Sequence, residues 1–432
     1  MGKSFLSSLL FYGGSAGIAR VLPLLVLPAF LNKLGAEEFG RIEVVFAFLN
    51  LVIIFGLAQL ESSFQRFFYS TESLSNLYST VTLMIASLSS VSAIIIISLS
   101  SQVSSILFGS VDESSSIILC AITILFANLS TINLIYLRFI DSKITFAISN
   151  ISQVVVSVLL GYIFIINHDM GSFGYFLGIF LGWVVCFMIT SAYLLFKVKV
   201  EFKLKLENVK ELFDFSLPQF PARIASFVFQ YGNKFIILAI LGTYAVANLS
   251  LAAKFAAPFQ FMMLALSMVW NPFLYKNEHD KNLNGKINSL ISYLIFSVVI
   301  IHIIVVILAK YVISNYFGSE FHDSAHYVTL AIIPFEMLAM KEIFESGIKL
   351  SKKTKYITYS YVISSAVMTP LMLISTNMFY MLVASIVGTF GMIVTTWYCS
   401  TSTSSVVINK SAFSLYTLFV LANVIYCYLN IV

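Results

Sequence analysis

Charge is what this sequence has least of. Only 10% of its 432 residues are Asp, Glu, Lys or Arg, against 59% hydrophobic, and the mean hydropathy is +0.93, which excludes a soluble globule. Cysteine is scarce and scattered. Cys120, Cys186, Cys399 and Cys427 lie inside apolar stretches with no CxxC spacing and no Cys/His cluster, so neither a metal site nor a disulfide framework is expected. The short motifs of soluble enzymes are missing too: no GxSxG, P-loop, GxGxxG or HExxH occurs, and nothing assembles a catalytic constellation. The net charge of +5 comes with no charge-rich soluble segment to hold nucleic acid, so no nucleic-acid partner is expected and the basic excess is read as topology.

What is present is apolar length. A membrane span needs about 20 predominantly apolar residues, and the apolar blocks predict helices over 5–31, 41–64, 77–99, 115–138, 144–167, 172–196, 216–241, 246–273, 287–309, 325–349, 356–376, 378–399 and 412–432. The first is expected to stay in the membrane, because it is long, carries Arg20 and runs directly into another span without a small-residue cleavage site. With the N-terminus in the cytoplasm, the Lys and Arg of the connections fall almost wholly inside, and Lys33, Arg41 and Lys310 are the three left outside. The basic segment 197–215 alternates Lys197, Lys199, Lys203 and Lys205 with apolar residues and is read as a cytoplasmic linker lying on anionic headgroups. It divides the chain into an N-lobe of six spans (1–196), the linker (197–215), a C-lobe of six (216–399), and a remainder (400–432) whose last helix is either a peripheral thirteenth span or an interfacial segment.

A weak repeat supports two halves. Leu34-Gly35-Ala36 follows the first span and Leu241-Gly242-Thr243 the seventh, at an offset of 207 (242 − 35), and both read as tight outer turns. Prolines punctuate both lead helices, at Pro23 and Pro28 and again at Pro218 and Pro221, though not at that offset. Repeats of this kind are a transporter signature.

Ionisable residues at membrane depth are expensive and point to function. At 1.5 Å per residue, Arg20 lies roughly 22 Å from the inner end of its span, Arg223 roughly 10 Å into the seventh, and Lys254 roughly 12 Å from the outer end of the eighth. Lys234 is near the outer end of the seventh and can snorkel, and Lys341 is near the inner end of the tenth. Each could be paired inside the bundle with a carboxylate or with helix C-terminal carbonyls, but Glu336 is the one carboxylate clearly at that depth. A net cationic interior follows, which attracts an anion and repels cations, and Arg suits phosphate bidentately. Glu336, beside Pro334, is read either as a coupling group that exchanges a proton or sodium or as the counter-ion of a buried arginine. His322-Asp323-x-x-His326 falls in a short outer loop and lacks a third soft ligand for a metal, and His302, on an apolar face, reads as a core histidine.

Several short stretches resemble a family. Leu34-Gly35 with Phe39-Gly40, Phe215-Ser216-Leu217-Pro218-Gln219-Phe220-Pro221, Ile237-Leu238-Ala239-Ile240-Leu241-Gly242, and Trp270-Asn271-Pro272-Phe273-Leu274-Tyr275 look like those of O-antigen and polysaccharide flippases. These form a branch of the multidrug/oligosaccharidyl-lipid/polysaccharide exporter superfamily. The resemblance implies an all-α polytopic membrane protein of two six-helix lobes in pseudo-twofold arrangement around a central cavity, without nucleotide, cofactor or enzymatic step. It implies alternating access that carries an undecaprenyl-pyrophosphate-linked oligosaccharide from the inner to the outer leaflet of the bacterial cytoplasmic membrane, driven by a proton, sodium or the membrane potential. Membrane lipids and other polysaccharide-assembly membrane proteins are the expected partners, and Arg20, Arg223, Lys254 and Lys234 the expected holders of the anionic substrate. Asn233-Lys234 and Ala247-Asn248-Leu249 stand where such flippases often carry an acidic-Arg pair and a Gly-x-Tyr, so no fixed ion pair is expected there. The rival readings are a multidrug exporter of the same fold and a membrane-embedded polysaccharide polymerase or acyltransferase. Cationic drugs call for acidic interior residues, of which only Glu336 qualifies, and a polymerase calls for a long outer loop, where the outer loops here are short.

Overall fold

Apolar blocks of this length have nowhere to satisfy their backbone in lipid except within helices, and the computed structural model is built of them. It describes residues 14–69, 71, 73–198, 209–351, 353, 355–404, 406–408 and 410–431, and among these there is no strand. The start of the first predicted span (5–13) and Lys199, Lys203 and Lys205 of the basic segment lie outside the described residues. The chain divides into two compact units, residues 1–224 and 225–432.

In the first unit the order is α1 (Gly14–Leu57), α2 (Leu60–Phe67), α3 (Leu74–Ser98), α4 (Ser100–Phe108), α5 (Ser114–Phe139), α6 (Lys143–Tyr162), α7 (Gly171–Tyr193) and α8 (Val209–Ser216). Single π-helical turns, Ile163–Asn167 and Leu194–Val198, extend α6 and α7. The first two predicted spans are the two arms of α1, which fold about Gly35 at φ 76°, ψ 170°. α5 is the central post. It buries Ile117, Cys120, Ala121, Ile124, Ile132 and Leu137 and carries the amides that tie its neighbours to it. Asn128 donates to Ser89 Oγ of α3 at 2.9 Å, Asn133 donates to Thr190 and Ser191 of α7 at 3.0 Å each, and Tyr78 of α3 donates to Asn133 at 2.6 Å. Interhelical hydrogen bonds of this kind do in lipid what hydrophobic burial alone cannot. α6 and α7 approach so closely that a Cβ at Gly178 would sit 2.6 Å from the Ser157 carbonyl and 2.7 Å from the Gly161 nitrogen, so only small residues fit that seam.

The second unit holds α9 (Phe220–Phe227, which begins in the first unit), α10 (Asn233–Lys254), α11 (Ala257–Lys276), α12 (Leu283–Tyr316), α13 (His322–Ala331), α14 (Ile333–Phe344), α15 (Ser346–Leu350), α16 (Lys355–Leu373), α17 (Met378–Thr403) and α18 (Lys410–Ile431). Gly242 bends α10 at φ 82°, ψ −178°, the same backbone state as Gly35. This region of positive φ with extended ψ is essentially open to glycine only, so the repeat read from sequence is a conformational one. Three predicted spans are interrupted. The seventh passes through a 3₁₀ turn at Leu217–Gln219, the short α9 and a π turn at Val228–Gly232. The eighth breaks at Phe255–Ala256, with Pro258 opening α11, where the missing N–H costs nothing. The tenth is three helices, α13, α14 and α15, parted at Ile332 and Glu345. α18 is a full helix of 22 residues whose Tyr416 and Cys427 are buried; it docks against α12, α13 and α17.

Candidate functional site

The cations read from the sequence fall two to each unit: Arg20 and Arg223 in the first, Lys234 and Lys254 in the second. Arg20 is exposed on the leading arm of α1, where Ile18, Val21 and Leu25 are exposed as well, whereas Phe30 and Leu31 near the end of the same arm are buried. Arg223 is exposed on α9, with the Glu61 carboxylate of α2 within its electrostatic reach. Lys254 is half-buried in the last turn of α10, where the free carbonyls of a helix C-terminus favour a cation. A straight eighth helix was expected there, and the break at Phe255–Ala256 instead places Lys254 at a helix end. Lys234, half-buried, opens α10 directly after the π turn.

Glu336 is wholly buried in the first turn of α14. His302 Nδ1 of α12 lies 2.6 Å from Oε1, and the Tyr416 hydroxyl of α18 donates to Oε2 at 2.9 Å. His302 is 2% exposed, its Nε2 is buried with no hydrogen-bond partner, and the Phe419 ring meets its edge at 4.9 Å between centroids. The partners of the deep carboxylate are therefore a histidine and a tyrosine. Sequence reasoning read His302 alone and did not single out Tyr416. They are 34 and 80 residues from Glu336, so no spacing could signal them.

One turn further along the tenth span is a buried set of charges. Lys341 is bonded to Glu345 and lies 4.3 Å from the centre of the Tyr361 ring. Lys349 reaches Glu342, Glu345 at 3.2 Å, and the Asn271 side chain at 3.0 Å. Two cations meet two carboxylates, so the set is neutral and ties α11, α14, α15 and α16 together. Beside it Trp270 Nε1 donates to Ser346 Oγ at 3.0 Å, which places the Trp-Asn-Pro stretch against the start of α15.

The first unit has a cavity of ≈ 710 Å³ lined by Glu37, Glu38, Arg41, Asp112, Glu113 and Ser172 among others. Arg41 pairs with Glu37 at 3.0 Å and faces Asp112 at 3.9 Å; the Ser172 N–H donates to Glu38 at 2.7 Å and its hydroxyl to Glu113 at 2.8 Å. Gly171, at φ +52°, has no room for a Cβ beside Glu38. These contacts bind the connections of three span pairs to one another. Their excess of carboxylates is opposite in sign to the deep cations and is unsuited to an anion. His322 and His326 are exposed at the start of α13, and Asp323 between them accepts from Tyr244 at 3.2 Å.

A family model described as polysaccharide biosynthesis protein matches residues 5–278. A search of curated proteins returned no match. Among solved structures, the lipid II flippase MurJ in an inward closed conformation is similar with a TM-score of 0.74 at 16% identity, covering 98% of this chain and 93% of that one. A Vibrio cholerae MATE transporter gives 0.63 at 15% identity, with 92% and 97% covered. An inward-facing multidrug resistance MATE family transporter of the MOP superfamily gives 0.60 at 14%, with 96% and 95% covered. At such identities the likeness is one of fold: an all-helical, multi-pass membrane protein of two lobes.

Proposed function

Because the chain belongs to the polysaccharide biosynthesis protein family, we propose that it is a flippase that moves an undecaprenyl-pyrophosphate-linked oligosaccharide, an O-antigen or similar surface-polysaccharide repeat unit, from the inner to the outer leaflet of the bacterial cytoplasmic membrane. The observation that carries this reading is the shared fold, over nearly the full length of both chains, with the lipid II flippase MurJ. Arg20, Arg223, Lys254 and Lys234 hold the pyrophosphate and acidic sugars. Arginine grips phosphate with two parallel hydrogen bonds, lysine as a point charge, and cations at several depths hand the anion on without trapping it at one strong site. The N-terminus and the basic segment 197–215 face the cytoplasm, in keeping with the basic bias of the connections.

The MATE likeness supports a second reading, export of drugs. It is the weaker one. Cationic drugs need free acidic groups in the interior, and the deep carboxylate, Glu336, has both oxygens engaged by His302 and Tyr416.

Deleting the gene in its native strain separates the two. A flippase leaves lipid-linked repeat units accumulated in the inner leaflet and surface polysaccharide lost. Unchanged polysaccharide with heightened sensitivity to cationic drugs would replace the flippase by an exporter.

A further inference from the structure

The Glu336 cluster has a feature that a purely structural polar contact does not need. Glu336 is fully enclosed, His302 is 2% exposed and Tyr416 is fully buried. A hydroxyl and one ring nitrogen satisfy the two carboxylate oxygens, yet the second ring nitrogen, Nε2, is left buried without a partner. Fold economy would have put an apolar residue or a hydrogen-bond partner there, since an unpaired buried polar atom costs about 1–3 kcal/mol.

We propose that His302 and Glu336, closed by Tyr416, form a proton-binding site that holds one exchangeable proton inside the second unit. The charges decide the occupancy. A neutral imidazole donating Nδ1–H to an ionised Glu336 leaves one negative charge in a dry compartment, which is costly even when hydrogen-bonded. One more proton makes the pair neutral overall, either as imidazolium with carboxylate or as imidazole with carboxylic acid. The short Nδ1 to Oε1 contact accommodates both. Nε2 is the atom through which that proton arrives and leaves, since the other polar atoms of the pair are engaged.

The groups packed on the pair from each element are few. From α14 there is Glu336 itself, from α18 the Tyr416 hydroxyl and the Phe419 ring. The next charges along these elements are Lys341, five residues beyond Glu336 and bonded to Glu345, and Lys310 of α12, eight residues beyond His302 and 5.8 Å from the Tyr426 ring of α18. The site is placed where a change of charge can move backbone. Pro334 opens α14 two residues before Glu336, and the span is parted at Ile332 just ahead of it. Tyr416 carries the same change into the last helix. As an energy input to flipping, the site rests on the function proposed above; as a proton-binding site it does not, and its test uses no substrate.

The test keeps the site intact. The other four histidines, His168, His279, His322 and His326, are all exposed, so replacing them by glutamine leaves His302 as the single histidine. In ¹⁵N-histidine-labelled full-length protein in lipid nanodiscs, the two ring-nitrogen resonances are followed between about pH 5 and 8. The proposal expects one titration step, reversible, that is abolished or displaced by Glu336→Gln and displaced by Tyr416→Phe. Resonances that hold one protonation state over the whole range would overturn it, as would a step indifferent to both substitutions. If Glu336→Gln fails to fold, Tyr416→Phe supplies the same comparison. Loss of flipping with the titration intact would count against the function, not against the site.

Discussion

Replacing Glu345 by alanine removes the carboxylate that Lys341 and Lys349 share. The consequence is unequal for the two. Lys349 keeps Glu342 and the Asn271 side chain, whereas Lys341, 3% exposed, loses its one bonded carboxylate and is left with the face of Tyr361 and the more distant charge of Glu342. Stranding one member of a buried pair costs about 3–5 kcal/mol, and a desolvated cation–π contact offsets about 1–2 of this, so Glu345→Ala should destabilise the second unit by about 1–4 kcal/mol. Lys341→Met is milder. Glu345 retains Lys349, so the loss is one charge-assisted hydrogen bond, about 1.5–3 kcal/mol, part of which the buried methionine returns. The double variant Lys341→Met with Glu345→Leu removes both charges together and should recover most of the stability, because apolar residues of similar volume often replace a buried pair without loss. Detergent-induced unfolding of the purified protein measures all three. Equal damage from the two single variants, or a double variant as unstable as the sum of both, would refute this account of the cluster.

Two further substitutions test the backbone and a surface loop. Gly242→Ala should cost about 1–3 kcal/mol through strain at its positive φ and nothing through crowding, since a Cβ there meets nothing within 4 Å; unfolding midpoints equal to wild type would contradict it. In the connection before α12, the Lys286 ammonium, followed by the Asn282 N–H, holds the Asp280 carboxyl below the usual carboxylate range. A depressed value contributes stability that is present above the unfolded value and lost as pH falls through the folded one, so the protection of amides 282–286, corrected for the intrinsic pH dependence of exchange, should fall in acid below about pH 4. Asp280→Asn keeps an acceptor for the Asn282 N–H, loses Lys286, and should exchange faster at neutral pH with the acid step gone.

Most of the fold was legible because one signal dominates it: apolar length between charges locates spans whatever their packing. The glycine turns were legible for a local reason as well, since Gly35 and Gly242 stand in matching stretches and share one conformation. The breaks inside spans were not. Pro334 was in view and Pro258 was not, but a proline that opens a new helix and one that bends a continuous helix look alike until the chain is folded. Lys254 therefore read as a mid-span cation and sits instead at a helix end. The Glu336 cluster was half legible: a lone deep carboxylate announces that it needs partners, but which residues supply them is a matter of tertiary packing. The last helix was left between two readings by the odd count of spans, and Tyr416, bonded to Glu336, shows it anchored to its own unit.

The most direct test of the central claim is flipping by the purified protein in proteoliposomes loaded with an undecaprenyl-pyrophosphate oligosaccharide, read as the fraction of glycan that becomes accessible to an enzyme added outside. Hydrogen bonds to charged groups contribute about 1.5–3 kcal/mol each, and 1.4 kcal/mol is a factor of ten. Wild-type protein should therefore expose the inner pool, and the double variant Arg20→Ala with Arg223→Ala, at equal reconstitution, should do so at least about tenfold more slowly. Accessibility no faster than in protein-free vesicles would contradict the flippase, and a double variant as fast as wild type would contradict the cationic path.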